Sequence, residues 1–154
     1  MKKQILSLFI ALASISAVYA SGNTDTKPQV KSANEKAVKN FNKQFKNAAD
    51  VNMYNTDNGI IIHSAALSNN ITAAYDKKGN WIYSIERYPS ESLAKNVLDI
   101  VKRSYDKYYV SAMDKIVQPG SGITYVVYLE NATSIKTLRI TNDETELVQD
   151  FIKG

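Results

Sequence analysis

The chain has one histidine and no cysteine, so few side chains remain that could act as a nucleophile or a general base. His63 lies inside a run of β-branched residues, and the Gly-x-Ser-x-Gly motif of a nucleophilic serine does not occur. Gly120-Ser121-Gly122 lacks the spacing of that motif and is typical of a turn. We therefore expect His63 to be an ordinary strand residue and the protein not to be an enzyme.

The acidic residues and glycines are too scattered for a metal or phosphate site. Zinc sites rely on cysteine and histidine ligands, which this chain has in insufficient number. Calcium loops need several oxygen ligands at fixed spacing around a glycine, and the turns 57–59 and 76–79 each supply too few. Glu144 and Glu146 share a face of a predicted strand and are typical of a solvated edge. The sequence predicts no metal and no cofactor.

Aromatic residues are the feature closest to a binding surface. Ten tyrosines and one tryptophan lie mostly in or beside predicted strands. Tyrosine pairs well across strands, so sheet packing is the simpler explanation. Tyrosine, tryptophan and arginine are also the usual anchors of protein interfaces. If one sheet face is exposed, the predicted binding residues are Tyr75, Trp81, Tyr83 and Arg87, the last three alternating on one face of a strand.

The charge of the chain is too small to indicate nucleic-acid binding. It carries 19 basic and 15 acidic side chains, a net charge of +4. Lys2 and Lys3 belong to an N-terminal leader, and without them 17 basic residues remain against 15 acidic ones, a net charge of +2. A nucleic-acid binder normally has a clustered basic face and a higher charge. We expect no nucleic-acid partner.

Residues 1–20 have the pattern of a cleaved signal peptide. A short positive start precedes an uncharged apolar run from Ile5 to Val18, which is shorter than the about 20 residues of a membrane span. Val18-Tyr19-Ala20 places small residues at the two positions that signal peptidase reads, so cleavage is predicted after Ala20. An uncleaved anchoring helix is the alternative. We expect a periplasmic or secreted bacterial protein without stable membrane insertion after leader removal.

The first half of the remaining chain predicts one helix followed by four strands. Residues 21–32 are polar and predict a flexible linker. Ala33, Ala37, Phe41 and Phe45 then recur every four residues, which places them on one apolar stripe of a helix. Strands are expected at residues 51–54, 60–67, 71–75 and 81–88, separated by turns rich in asparagine, aspartate and glycine.

The second half repeats this order of elements. A helix beginning near Ser90 or Ser92 carries an apolar stripe through Val97 and Val101. Strands are expected at residues 109–117, 123–130, 135–140 and 144–151. We therefore predict an α+β domain over residues 33–154, built as a duplicated unit of one helix plus a four-stranded antiparallel sheet, with repeats at about 33–89 and 90–154. The two sheets would lie side by side or be continuous. Chance similarity of two α+β segments is the alternative.

Several short motifs follow one another along nearly the whole chain after the leader. They are Ala37-x3-Phe41-x3-Phe45 with Val51 after a short gap, then Ala74-Tyr75-Asp76-x2-Gly79-x-Trp81, and last Leu93-x3-Val97-x3-Val101-x3-Tyr105-x2-Tyr108-x-Val110. In this arrangement the chain resembles the PepSY-like, β-lactamase-inhibitor-like (BLIP-like) family of small exported bacterial proteins. The order and spacing of the motifs carry the resemblance, since no single motif is strongly specific.

The chain also departs from the family pattern. Met53 stands where members tend to have tryptophan, Leu93-Ala94 replaces a Leu-Pro pair, and Asn142-Asp143-Glu144 replaces a hairpin glycine. The resemblance implies a fold similar to the β-lactamase inhibitor protein. A shared fold does not by itself imply a shared function, so inhibition of a β-lactamase is not inferred.

Two hypotheses about function follow. The first is a non-catalytic exported binding protein, inhibitor-like in form, that presents an antiparallel sheet face to an envelope protein or peptide. The alternative is a periplasmic carrier or sensor of a small ligand or peptide, which predicts a concave apolar pocket with a few polar groups. An enzyme that uses scattered carboxylates, or a purely structural domain, has less support in the sequence.

Overall fold

The computed structural model describes residues 28–65, 69–142 and 144–154, with side chains from residue 32 onward. The predicted signal peptide lies outside the described residues. Helix α1 spans Pro28–Gln44. Proline at the first helical position has no N–H bond to lose and already holds a helical φ. The helix therefore includes residues 28–32, which the sequence predicted as the end of the linker.

Eight strands and a second helix follow α1. The strands are β1 Asn52–Thr56, β2 Gly59–Ala65, β3 Asn70–Tyr75, β4 Trp81–Pro89, β5 Tyr109–Gln118, β6 Gly122–Glu130, β7 Ser134–Thr141 and β8 Glu144–Ile152. Each strand begins and ends within two residues of its predicted bounds. Helix α2 spans Lys95–Ser104 and begins later than predicted, because Ser90–Ser92 form a separate 3₁₀ turn.

All eight strands form one antiparallel sheet in the order β1-β2-β3-β4-β5-β6-β7-β8. The prediction of a duplicated unit of one helix plus a four-stranded sheet is therefore wrong, because β4 pairs with β5 along residues 84–89 and 112–117. A sheet that ended at β4 would expose a row of unpaired N–H and C=O groups. Pairing β4 with β5 satisfies both rows and leaves β1 and β8 as the edges of the described sheet.

Ion pairs cross the β4–β5 junction on both faces of the sheet. Arg87 pairs directly with Asp114, and Glu86 pairs directly with Lys115. Successive side chains of a strand point to opposite faces, so the two ion pairs lie on opposite sides. Opposite charges at directly paired positions stabilise the register in which they meet. The charges thus favour the pairing that joins the two halves.

Each helix buries an apolar cluster against the sheet. Helix α1 packs on β2 and β3 in a cluster of Ala33, Ala37, Phe41, Ile60, Ile62, Ile71, Ala73 and Tyr75. Helix α2 packs on β5, β6 and β7 in a cluster of Val97, Val101, Val110, Met113, Val127, Leu129, Leu138 and Ile140. The predicted stripes of both helices are thus confirmed as their buried sides.

The two helices lie on the same face of the sheet, which we call the covered face. Ile71, in the α1 cluster, pairs with Glu86 on β4. Tyr88 stands two residues further along β4, hence on the same face, and pairs with Met113 of the α2 cluster. The opposite face, which we call the open face, has neither α1 nor α2 over it.

The turn between β3 and β4 touches α1 closely at Gly79. This glycine has φ +74, and a β-carbon there would lie 2.5 Å from the Ala33 carbonyl oxygen. The Asn40 side chain donates a hydrogen bond to the Gly79 carbonyl at 3.1 Å. Glycine is required by both the backbone angle and the close approach, and the contact fixes α1 over β3.

Candidate functional site

The four predicted binding residues are divided between the two faces of the sheet. Tyr75 is 1% exposed and belongs to the α1 cluster, and Trp81 packs against that cluster. A β-bulge between Ala74 and Tyr75 shifts the register, so that Ala74 pairs with Tyr83 and Tyr75 pairs with Trp81. The alternation predicted from Trp81 through Arg87 therefore does not hold, because a bulge opposes two residues of one strand to one of the next.

Tyr83 and Arg87 remain on the open face. Arg87 is the more exposed of the two, with 51% of its side-chain surface accessible. Its Nε donates to Asp114 Oδ1 and its Nη2 donates to Asp114 Oδ2, both at 2.7 Å. This two-point contact is the strongest common geometry for an arginine–carboxylate pair and fixes the plane of the guanidinium group.

Tyr128 completes the polar centre of the open face. Its hydroxyl donates to Asp114 Oδ2 at 2.9 Å, and its ring lies 5.5 Å from the Arg87 Cζ atom. Burial raises the pKa of Tyr128 to about 12, and the Asp114 carboxylate adds to the effect. The phenol therefore stays protonated at neutral pH and can donate to the carboxylate.

The Asp114 carboxylate accepts the hydrogen bonds of both Arg87 and Tyr128 although it is nearly buried. Only 8% of its side-chain surface is exposed, and three hydrogen bonds from two side chains compensate its charge. The hydrogen bonds to Asp114 in turn raise the pKa of Arg87. Two of the five guanidinium N–H groups bind Asp114, and the exposed side of Arg87 faces outward.

Sequence reasoning did not find Asp114 or Tyr128 as part of the site. Asp114 stands in a strand otherwise rich in apolar residues, and a carboxylate is almost never fully buried unless it is paired. That is a signal of a buried ion pair. Its partner could not be chosen from the sequence, because Arg87 lies 27 residues away and is brought near only by the β4–β5 pairing.

Apolar side chains surround the polar centre. Ile85 pairs with Ile116 next to the Arg87–Asp114 pair, and all of these positions alternate onto the open face. We call this region the platform, and it comprises Tyr83, Ile85, Arg87, Asp114, Ile116 and Tyr128. A half-exposed, immobilised arginine among partly exposed apolar and aromatic residues is the composition of an interface anchor.

His63 also lies on the open face, at the β2 side of the platform. Its Nδ1 is 2.9 Å from the Thr72 hydroxyl, and its ring meets the Tyr54 ring edge-on with centroids 5.6 Å apart. Burial lowers the pKa of His63 and so favours the neutral imidazole. Across the described ranges, no three acidic or histidine side chains gather as a group that could hold a metal ion.

The ligand-carrier hypothesis predicted a concave apolar pocket, and the described residues form an open groove whose lining is partly apolar. It has a volume of about 800 Å³ and lies between α1 and β1. Val38 and Met53 contribute apolar surface, and three lysines, Lys39, Lys43 and Lys46, line it as well. The groove is on the covered side of the sheet, away from the platform.

Comparison with solved structures places this fold among proteins from Bacteroides. A DUF2874 family protein from Bacteroides ovatus matches with a TM-score of 0.59 and 16% identity, covering 84% of this chain and 89% of its own. A BLIP-like protein from Bacteroides fragilis matches with a TM-score of 0.59 and 17% identity, covering 86% and 92%. A protein from Bacteroides eggerthii described as a candidate periplasmic protein matches with a TM-score of 0.59 and 8% identity, covering 77% and 87%.

These identities establish a shared fold. The predicted resemblance to BLIP-like proteins is confirmed at that level, whereas its PepSY-like part stays a prediction. No protein-family profile and no curated protein sequence matches the chain. Within the part of the chain that the structure describes, neither helix is long and apolar enough to cross a bilayer.

Proposed function

We propose that this chain is a non-catalytic exported protein that binds a protein partner in the bacterial envelope through the platform on its open face. The observation that carries the proposal is the Arg87 side chain, held by Asp114 and Tyr128 on the face that neither α1 nor α2 covers. The leader pattern and the fold shared with a candidate periplasmic protein support a periplasmic location.

The platform suits binding because its central side chain is already ordered. An arginine that must be immobilised on binding loses rotamer freedom, which reduces affinity. Here the bidentate contact to Asp114 orders Arg87 in the free protein, while its remaining N–H groups can donate to a carboxylate or carbonyl of the partner. Tyr83, Ile85 and Ile116 supply apolar surface around it. An inhibitor would use the same contacts to cover the entrance of a partner enzyme.

Site-specific photo-crosslinking in the native bacterium tests the proposal. A photoreactive residue is placed at position 83 or 116 on the open face, and at position 123 as the matched control. Ile116 is partly buried, whereas Ile123 is an exposed isoleucine that pairs with Val117 on the covered side, so the control position is at least as accessible as the test position. We expect one discrete adduct from positions 83 and 116 and none from position 123.

A second change links the adduct to Arg87. The substitution Arg87→Lys keeps the positive charge but loses the planar two-point contact, so we expect the adduct to become weaker in a chain that is less stable but still unfolds cooperatively. Adducts of equal yield at position 123, or no adduct at any position, would show that the platform is not the binding surface.

A further inference from the structure

Strand β1 is an edge of the sheet that the described residues form, and its outward backbone groups can be assigned. All five residues of β1 are exposed. Thr56 and Gly59 pair across a two-residue turn, and Tyr54 pairs with Ile61 two residues further along. The pair that closes a two-residue turn is hydrogen-bonded, and hydrogen-bonded and non-hydrogen-bonded pairs alternate from there along an antiparallel ladder. Met53 and Asn55 are thus in non-hydrogen-bonded pairs. The N–H and C=O groups of Met53 and Asn55 therefore point away from β2, toward the place of a ninth strand.

The groove between α1 and β1 lies beside that vacant place. Val38 of α1 and Met53 of β1 form apolar parts of its lining. Lys39, Lys43 and Lys46 line it as well, with Glu35 as the acidic residue among its lining. Three lysines and one glutamate give this lining a net charge of +2. The groove thus combines an apolar surface with excess positive charge.

Protection of the sheet edge does not by itself explain why the groove lysines are unpaired among the described residues. Lysine at a sheet edge often serves only to prevent unwanted pairing. At the other edge, however, charges are compensated across strands, by the pairs Lys136–Asp150 and Arg139–Glu146. The three groove lysines form no ion pair within the described part of the chain.

A polar atom in the groove also lacks a partner. The Asn34 side-chain oxygen is buried and accepts no hydrogen bond from any described residue. Asn34 belongs to the groove lining, on the same side of α1 as Val38. A buried carbonyl oxygen without a donor is costly, and a ligand that carries N–H groups would supply one.

We propose that β1 and the groove bind an extended acidic peptide segment of a partner protein, which adds to the sheet as a ninth strand. Strand addition uses main-chain hydrogen bonds for affinity and side-chain pockets for selectivity. The backbone of the segment pairs with Met53 and Asn55. Its carboxylates lie near Lys39, Lys43 and Lys46, and a small apolar side chain covers Val38. This site is separate from the platform and does not depend on it.

The test uses the full chain and a fluorescein-labelled probe peptide, acetyl-Thr-Glu-Thr-Val-Thr-Glu-Thr-amide. In a strand its two glutamates and its valine share one face. Fluorescence anisotropy at low salt should show saturable binding that weakens as salt is added, since exposed charges are screened. Two control peptides carry lysine in place of glutamate, or N-methyl groups on the backbone nitrogens that would pair, and neither should bind.

Variants of the chain separate charge from strand pairing. Lys39→Glu with Lys43→Glu should weaken binding by about tenfold or more, since each exposed ion pair contributes up to about a kcal/mol. Lys102→Glu with Lys107→Glu is the charge-matched control on the α2 side and should leave affinity unchanged. Asn55→Pro removes an outward N–H and is tolerated at a sheet edge, so it should weaken binding in a chain that still unfolds cooperatively.

The outcomes decide the proposal. Loss of binding in the groove variants and in Asn55→Pro, with the control variant unaffected, supports an acidic ninth strand. The proposal is overturned if the probe does not bind the unmodified chain, or if both charge-reversal variants behave alike. It is equally overturned if the N-methylated peptide and Asn55→Pro retain full affinity, because the association would then be electrostatic only.

Discussion

The covered face and the open face are built by the same eight strands but are held together differently. On the covered face, apolar side chains of both helices and of the central strands are buried in two clusters. On the open face, the most buried charged group is Asp114, and its neighbours compensate it with hydrogen bonds rather than with apolar contact.

The difference separates stability from recognition. Burial of apolar surface is the main favourable contribution to folding, and the covered face contains most of it. The open face fixes the β4–β5 register through Arg87 and Asp114 and leaves exposed side chains that folding does not require. Substitutions on the two faces should therefore have different consequences, and matched pairs of residues can measure the difference.

Two phenylalanines give the largest expected contrast. Phe41 is 0% exposed in the α1 cluster, whereas Phe151 on β8 is 54% exposed. Phe41→Ala should lower the free energy of unfolding by about 3–5 kcal/mol, because it removes buried contacts and leaves a cavity. Phe151→Ala should change it by no more than about 0.5 kcal/mol. Urea unfolding of both variants measures this, and equal losses would contradict the division between the faces.

Two acidic residues of the open face give the next contrast. Asp114→Asn removes a nearly buried carboxylate that accepts from Arg87 and Tyr128, and should cost about 2 kcal/mol. Glu146→Gln disrupts the more exposed pair with Arg139 and should cost less than about 1 kcal/mol. Urea unfolding at low and high salt checks both values. If the two substitutions cost the same, the Asp114 network does not fix the strand register.

Replacement of tyrosine by phenylalanine should affect stability differently at two positions. The Tyr75 hydroxyl is buried on the covered face without a partner among the described residues, whereas the Tyr128 hydroxyl donates to Asp114. Tyr75→Phe should leave stability unchanged or raise it by up to about 1 kcal/mol, and Tyr128→Phe should lower it by about 1 kcal/mol. Thermal and urea unfolding report the sign.

An alkaline titration provides a control for the tyrosine pair. Burial raises the pKa of Tyr75 to about 12 from the ordinary 10.0. Tyr75→Phe should therefore remove one late step from the tyrosinate absorbance curve. If Tyr75→Phe instead destabilises the chain as much as Tyr128→Phe, the Tyr75 hydroxyl has a hydrogen-bond partner.

The elements of the fold could be predicted from local pattern, because burial on one face forces a regular spacing. The stripe Ala33, Ala37 and Phe41 faces the sheet as predicted, and all eight strands were found near their true bounds. The joining of the strands into one sheet could not be predicted in this way. It depends on β4 meeting β5 across the 3₁₀ turn and α2, a long-range pairing without a local signal.

The positions of the predicted binding residues were predicted only in part, for the same kind of reason. Tyr83 and Arg87 share one face of the sheet as predicted, because strand alternation holds along most of β4, whereas their role in binding stays a prediction. Tyr75 and Trp81 were assigned to the same face, but the bulge beside Tyr75 shifts the register there. Asp114 and Tyr128 were missed because their role depends on contacts made across β4, β5 and β6.

His63 gives the smallest expected effect and tests how dry the open face is near β2. Burial lowers its pKa below the ordinary 6.5, since the imidazolium form is disfavoured in the folded state. The direction in which stability changes with pH follows from the linkage between proton binding and folding. The free energy of unfolding is therefore highest, with respect to His63, above pH 6.5, and it decreases as the pH falls through the folded-state pKa, because the unfolded chain takes up the proton more readily.

NMR titration of the ring protons gives the folded-state pKa of His63 directly, since His63 is the only histidine in the chain. Tyr54→Ala removes the ring that lies against it and should move the pKa back toward 6.5. A pKa at or above 6.5 in the unmodified chain would show that water reaches this part of the open face freely. The open face and the covered face would then differ more strongly in their access to water.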